Sequence, residues 1–242
     1  MRLGFGLAVA VTLLAGPALA QQMSIDFGGA GGGGSLSLRS VQLLLLITVL
    51  SIVPGLAVMV TCFPFIVTVL SILRQAIGLQ QAPPNMLIIS LALFLTWFVM
   101  DPVFTEALVK GIEPMTNGTL EVGPGLQAAI APFRAFMALR VDPETLQTLQ
   151  DLRSATPVTA ADAPLSLLVP SFLLSEIQRA FEIGFMIFLP FLIIDLVVAA
   201  ILMSMGMMMV PPAVVSLPFK LVFFVVADGW ALVSGALVRS YF

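Results

Sequence analysis

The chain has 242 residues, 60% hydrophobic and only 10% charged, with a mean hydropathy of +1.11. Soluble domains carry roughly a quarter charged residues, so this composition excludes a water-soluble globule, whose surface must still be wetted. A net charge of −3 leaves no basic excess for a phosphate backbone, which removes nucleic acid as a partner.

Histidine is absent and Cys62 is the single cysteine. His-containing triads, zinc sites and intrachain disulfides are therefore excluded, and no cofactor is expected. Cys62 lies in an apolar run and reads as a buried, inert thiol.

Residues 1–20 read as a signal peptide: Arg2 is the basic start, Leu3 to Ala15 the apolar stretch, and Ala18-Leu19-Ala20 the cleavage pattern. The mature N-terminus is then expected outside the cytoplasm. Residues 21–40 form a Gly-rich flexible segment, with five glycines and Ala30 leading into Gly34-Ser35.

Residues 41–100 are expected to form a first helical hairpin. No charge occurs from Ser40 to Leu73. As one straight helix this stretch would run about 51 Å, well beyond the roughly 30 Å hydrocarbon core. Pro54-Gly55 and Pro64 interrupt it, which predicts a broken or bent pair of helices rather than one clean span. Arg74 and a turn from Gly78 to Asn85 come next, then a second apolar run, Met86 to Met100, ending at Asp101-Pro102.

Residues 101–163 read as a water-facing insert, holding eight of the thirteen acids and four of the ten bases. Short amphipathic helices are expected between Gly125 and Leu152. Asp142 and Glu144 there read as solvated surface, and the Asn117-Gly118-Thr119 sequon is assigned no role.

Residues 164–242 are expected to form a second hairpin. Ile183 to Met205 carries only Asp195, Gly206 to Pro212 punctuates it, and a last helix runs from Ala213 to Val238. Pro54, Pro64, Pro190 and Pro218 are expected to break the spans. Four crossings would place the loops after Arg74 and at Gly206 inside, and the insert and C-terminus outside, with Arg74 alone as positive-inside support. No internal repeat is evident. The fold class read here is an all-α membrane protein of bent or broken helical hairpins with a small helical periplasmic insert.

Charges inside apolar helices are the informative exceptions, since a span-centre Asp or Lys costs roughly 2.5–3.5 kcal/mol even on a mild scale. Asp195 and Lys220 are the clearest, with Glu176, Arg179, Glu182 and Asp228 nearer helix ends. Glu176 with Arg179, and Arg179 with Glu182, are i,i+3 neighbours that can pair locally. Lys220 has no acid within four positions, so its partner lies across a helix or subunit boundary; Glu176 of a neighbouring copy is the expected one. Asp228 would lie about 12 Å further along the same helix, out of reach. Ionic glue between packed helices and a proton or ion relay both remain open for this set, and the lack of histidine favours the glue.

The other exception is methionine: Met203, Met205, Met207, Met208 and Met209 cluster on a turn bounded by Gly206, Pro211 and Pro212. Methionine is an ordinary apolar gap-filler, yet a flexible, polarizable ring of them could seal a pore and deform around a passing chain.

Several stretches resemble the FliP family (FliP/SctR/SpaP), the core export-gate subunits of flagellar type III secretion, related to the injectisome gate proteins. They are Asn85 after Ala82-Pro83-Pro84, Leu91 to Thr96, GFMIFLPFLIIDL from Gly184, Met207 to Pro212, Leu217-Pro218-Phe219-Lys220 and Asp228-Gly229-Trp230. The resemblance spans residues 41 to 242. It implies a homo-oligomer joined by FliQ- and FliR-like subunits, near FlhA/FlhB-like components and the basal-body ring in the bacterial inner membrane. Unfolded rod, hook and filament subunits would pass through it, with Met207, Met208 and Met209 as a gasket. The signal peptide and insert favour the flagellar branch over an injectisome homologue.

Other readings stay in view. One is an ion-coupled transporter using Asp195; another is a structural nucleus for a surrounding ring. An enzyme is the weakest option, and no G-x-x-x-x-G-K-[ST] nucleotide loop is present.

Overall fold

A computed structural model describes residues 36–79, 82–152, 157–207 and 209–242. The expected signal peptide and most of the Gly-rich segment lie outside the described residues. Two compact units are present, Met1–Leu46 and Ile47–Phe242. The first is described only as the start of helix α1 (Leu36–Met59), and the second holds all the other described helices.

The uncharged run is broken as expected, but not at Pro54, which sits inside α1. The break falls at Val60–Cys62. There the Thr61 hydroxyl donates to the Val58 carbonyl at 2.6 Å and accepts from the Phe63 N–H at 3.3 Å, offering the backbone an alternative to helix. Helix α2 (Phe63–Ile77) then starts with Pro64 in its first turn, where a missing N–H costs nothing, and ends at Gly78 in the left-handed region. Cys62, Phe65, Ile66, Val69, Leu70 and Leu73 are buried, so α2 forms the core of the unit rather than a lipid-facing span.

Helix α3 (Asn85–Ala107) does not stop at Asp101-Pro102. It continues through a π-helical segment (Leu108–Ile112) into the short α4 (Glu113–Thr116). Phe104, beyond the proline, packs in tilted ring contacts at 5.4 Å from Trp97 and 5.7 Å from Phe133, contacts that offset the one hydrogen bond Pro102 removes. Gly111 lets the π segment meet α5 (Val122–Arg140): a Cβ there would fall 2.5 Å from Ala129. With α6 (Pro143–Leu152), α5 supplies the short helices expected in the insert.

Helix α7 (Leu165–Ser204) is one 40-residue element with Pro170 and Pro190 inside it. The expected break at Pro190 is absent, because Phe191 is buried against Phe223 and Phe224 and anchors the turn. α7 lies closely on α2 at Gly184, where a Cβ would come 2.4 Å from Ile72 Cδ1.

The expected last helix is two. Helix α8 (Pro212–Val226), which contains Pro218 without breaking, and α9 (Gly229–Arg239) meet at a 62° bend. Asp228 at the bend has φ 48°, and Gly229 leaves room for the Phe224 ring, which a Cβ would approach to 2.1 Å. Asp228 therefore lies on no continuous helix with Lys220.

The chain is thus an all-α membrane protein of bent and broken helical hairpins with a small helical insert. Among the described residues the α3–α4 run (Asn85–Thr116) and α7 are long and apolar enough to cross a membrane, and the bent α8–α9 pair is a third candidate.

Candidate functional site

Helices α7 and α8 form a hairpin whose tip is the methionine turn. α7 ends in a full Schellman cap: Gly206, at φ 75°, donates its N–H to Met203 O at 3.0 Å, and Met207 N–H donates to Leu202 O at 3.0 Å. Pro211 and Pro212 then start α8 with a fixed φ. Met205 is 66% exposed, Met207 42% and Met209 96%. Met208 lies outside the described residues.

Beneath the tip, Asp195 of α7 faces Ser216 and Lys220 of α8, which are one turn apart and share a face. Lys220 Nζ donates to Asp195 Oδ2 at 2.6 Å and to the Ala76 carbonyl at 3.1 Å. The Ser216 hydroxyl donates to Asp195 Oδ1 at 2.6 Å. Ala76 lies in the last turn of α2, where carbonyls lack helical partners and favour a cation. Lys220 is 5% exposed and Ser216 fully buried, whereas the Asp195 side chain remains 32% exposed. The expectation that Lys220 finds an acid across a helix boundary is met by Asp195.

A second buried charge cluster ties the insert to the C-terminus. Glu176 of α7, fully buried, accepts from Arg140 Nε at 2.9 Å on one oxygen and from the Tyr241 hydroxyl on the other. Arg140 Nη1 donates to the Ser240 carbonyl at 2.8 Å, and its guanidinium lies 4.1 Å above the Tyr241 ring. Arg140 Nη2 has no hydrogen-bond partner among the described residues, so the ring face is its neighbour. Burial, with the adjacent Glu176 charge, pushes the Tyr241 phenol well above its usual value, keeping it a donor.

The expected pairing of Glu176 with Lys220 of a neighbouring copy therefore gives way. Both groups are satisfied inside one chain, because α5 and the C-terminus bring Arg140 and Tyr241 to Glu176. Arg179 reaches Glu176 only at 3.9 Å, and the exposed Glu182 accepts from Gln178 at 3.3 Å.

Arg140, Tyr241, Ser216 and the Ala76 carbonyl escape a reading of the sequence. Ser216 carries a signal: a hydroxyl four residues before a lysine in an otherwise apolar helix. Arg140 carries none, since it stands among the charges of the insert.

On its α7–α8 face the hairpin also carries an apolar groove of about 480 Å³, lined by Ile194, Val198, Ile201 and Met205 of the α7 end and Val215 and Phe219 of α8. No group of three His, Cys, Asp or Glu able to hold a metal occurs among the described residues.

Long apolar helices, charges that pair between helices, and an exposed methionine tip define a helical membrane protein. The chain belongs to the FliP family, which it matches over residues 46–237. It is 50% identical over 236 residues, 97% of this chain and 88% of the relative, to the flagellar biosynthetic protein FliP of Caulobacter vibrioides. The Agrobacterium fabrum protein of the same name is 44% identical over 241 residues, covering 98% of both chains. That of Bacillus subtilis is 44% identical over 203 residues, 84% of this chain and 92% of the relative.

Proposed function

We propose that this chain is a pore-forming subunit of the flagellar type III protein export gate. Several copies assemble with FliQ- and FliR-like subunits in the bacterial inner membrane, within the basal body and beside FlhA/FlhB-like components. Unfolded rod, hook and filament subunits pass through the assembly, which does no chemistry on them. The insert faces the periplasm, after a signal peptide has directed the N-terminus outward.

The observation that carries this reading is the methionine tip, which exposes apolar side chains at the end of a hairpin held by buried charges. Met207, Met208 and Met209 form the gasket, and Gly206, Pro211 and Pro212 are the hinge points that flank it. The length of α7 supports the assembly. Its 40 residues extend about 60 Å, twice the roughly 30 Å hydrocarbon core, so much of its apolar surface is available to other subunits.

The relay reading of Asp195 has less support. Both of its oxygens are engaged by donors from α8, the arrangement of glue between helices. Glu176 and Lys220 are read in the same way, as charges that join helices, whereas Arg179 and Glu182, whose contacts lie within α7, are read as charges left to meet other subunits.

Complementation tests the proposal. A strain lacking this gene and carrying the chain should regain secretion of hook and filament subunits, and the complex purified in mild detergent should contain several copies with FliQ- and FliR-like partners. Recovery of a lone copy from secretion-competent cells would overturn it.

A further inference from the structure

Resting on the gate reading above, we propose that Ser216 is a positioning residue which, acting through Asp195, sets the height of the methionine tip on the α7–α8 hairpin.

Ser216 places a fully buried hydroxyl in an apolar helix, where alanine would fill the same space without a polar atom. Its single proton goes to the nearer, charged acceptor: Asp195 Oδ1 is 2.6 Å away and the Ala213 carbonyl 3.3 Å. With Lys220 on Oδ2, α8 grips both oxygens of one α7 carboxylate from donors one turn apart. The Phe191 packing against Phe223 and Phe224 holds the hairpin one turn further from the tip. Between that packing and the tip, the two contacts on one carboxylate fix the fine register and rotation of α8 on α7.

That register decides where the tip stands. Asp195 lies nine residues before the end of α7 at Ser204, and Ser216 four residues after the start of α8 at Pro212. At 1.5 Å per residue, α7 extends about 14 Å beyond the grip and α8 only about 6 Å. The methionine segment bridges this uneven end. At rest its two boundaries are set by the Schellman cap on one side and the fixed φ of Pro211-Pro212 on the other, so its resting position follows the helices, and the same residues act as hinges only when a chain passes. A slip by one helical turn would displace it about 5.4 Å, roughly the width of a side chain in a seal.

A merely structural role is distinguishable. If Ser216 served only to bond its own helix at Ala213, its removal would act independently of Asp195.

The test uses the complete complex, reconstituted into phosphatidylethanolamine–phosphatidylglycerol vesicles loaded with a small anionic dye, with a Met207→Ala/Met209→Ala double variant as the reference leak. Loss of a hydrogen bond to a charged group predicts that Ser216→Ala releases dye about tenfold faster than the parent at unchanged complex mass. Ser216→Thr, which retains the hydroxyl but adds a methyl to a fully buried site, should leak less than Ser216→Ala. In the Asp195→Ala background, which removes the shared acceptor, Ser216→Ala should add no further leak, the mark of two residues acting as one unit.

A tight Ser216→Ala complex beside a leaking methionine variant would overturn this proposal and leave the gate reading standing. A tight methionine variant would overturn the gate reading, and the positioning role with it. Additive leak in the double variant, or loss of the complex in Ser216→Ala, would assign Ser216 to helix stability or assembly and overturn the proposal.

Discussion

Tyr241 donates its hydroxyl to Glu176 across 65 residues of sequence, so the end of the chain closes over the one fully buried carboxylate described on α7. Removing that hydroxyl leaves a carboxylate oxygen unsatisfied in the core. Tyr241→Phe should therefore lower stability by about 1.5–3 kcal/mol, the range for hydrogen bonds to charged groups. Glu176→Ala, which strands Arg140, should cost about 3–5 kcal/mol. Denaturation of the detergent-solubilised protein should rank parent, Tyr241→Phe and Glu176→Ala in that order.

The Asp195–Lys220 pair predicts an asymmetry. Lys220 is 5% exposed while the Asp195 side chain is 32% exposed. Asp195→Asn leaves an uncompensated charge in the more enclosed position and should cost about 3–5 kcal/mol. Lys220→Met leaves its carboxylate partly wetted and still bonded to Ser216, and should cost less. The double variant should recover part of the loss, which thermal unfolding of the three proteins would measure.

At Gly184 an added side chain requires Ile72 to give way. The added Cβ would meet Ile72 Cδ1 at 2.4 Å, so Gly184→Ala should cost about 1–3 kcal/mol by overpacking α2 against α7. Trimming the obstacle in Gly184→Ala/Ile72→Val should return most of it. Gly123, with nothing within 4 Å of its Cβ position, is the contrast: Gly123→Ala should leave unfolding unchanged or raise stability slightly.

The insert offers a pH dependence. Asp142 caps α6, accepting from the Thr145 N–H at 2.8 Å and the Thr145 hydroxyl at 2.9 Å, and these bonds hold its carboxyl below the usual range. Because the folded value is the lower one, the stabilisation is complete above the unfolded value of about 3.9 and is lost as pH falls through the folded value. Hydrogen exchange at the Thr145 amide should show constant protection from neutral pH down to about 4 and loss below it. In Asp142→Ala protection should be lower throughout and without that acid step.

Much of this architecture is legible in the sequence. The apolar runs, the charge-rich insert and the methionine turn each appear as a local shift of composition, and the structure places helices or a turn accordingly. Asp195 and Lys220 stand out because a charge in an apolar helix demands a partner. Helix limits are less legible. Pro102 and Pro190 are expected to end or break helices, yet Phe104 and Phe191 pack beyond or beside them and carry the helices through. The bend at Asp228 depends on Gly229 admitting the Phe224 ring, a contact between neighbouring helices that no periodicity reports. Sequence spacing pairs Glu176 with the wrong partner for a similar reason: Arg140 and Tyr241 are 36 and 65 residues away, and only the packed fold unites them.

If an exported chain passes the methionine tip, site-specific crosslinking to a substrate stalled in transit tests that passage most directly. Single cysteines would replace Met207, Met209 or, as a control on α6, the exposed Leu152, in a Cys62→Ala background. A photoactivatable crosslinker at positions 207 and 209 should capture the stalled chain while position 152 does not. Equal capture at all three positions, or capture at 152 alone, would contradict passage at the tip.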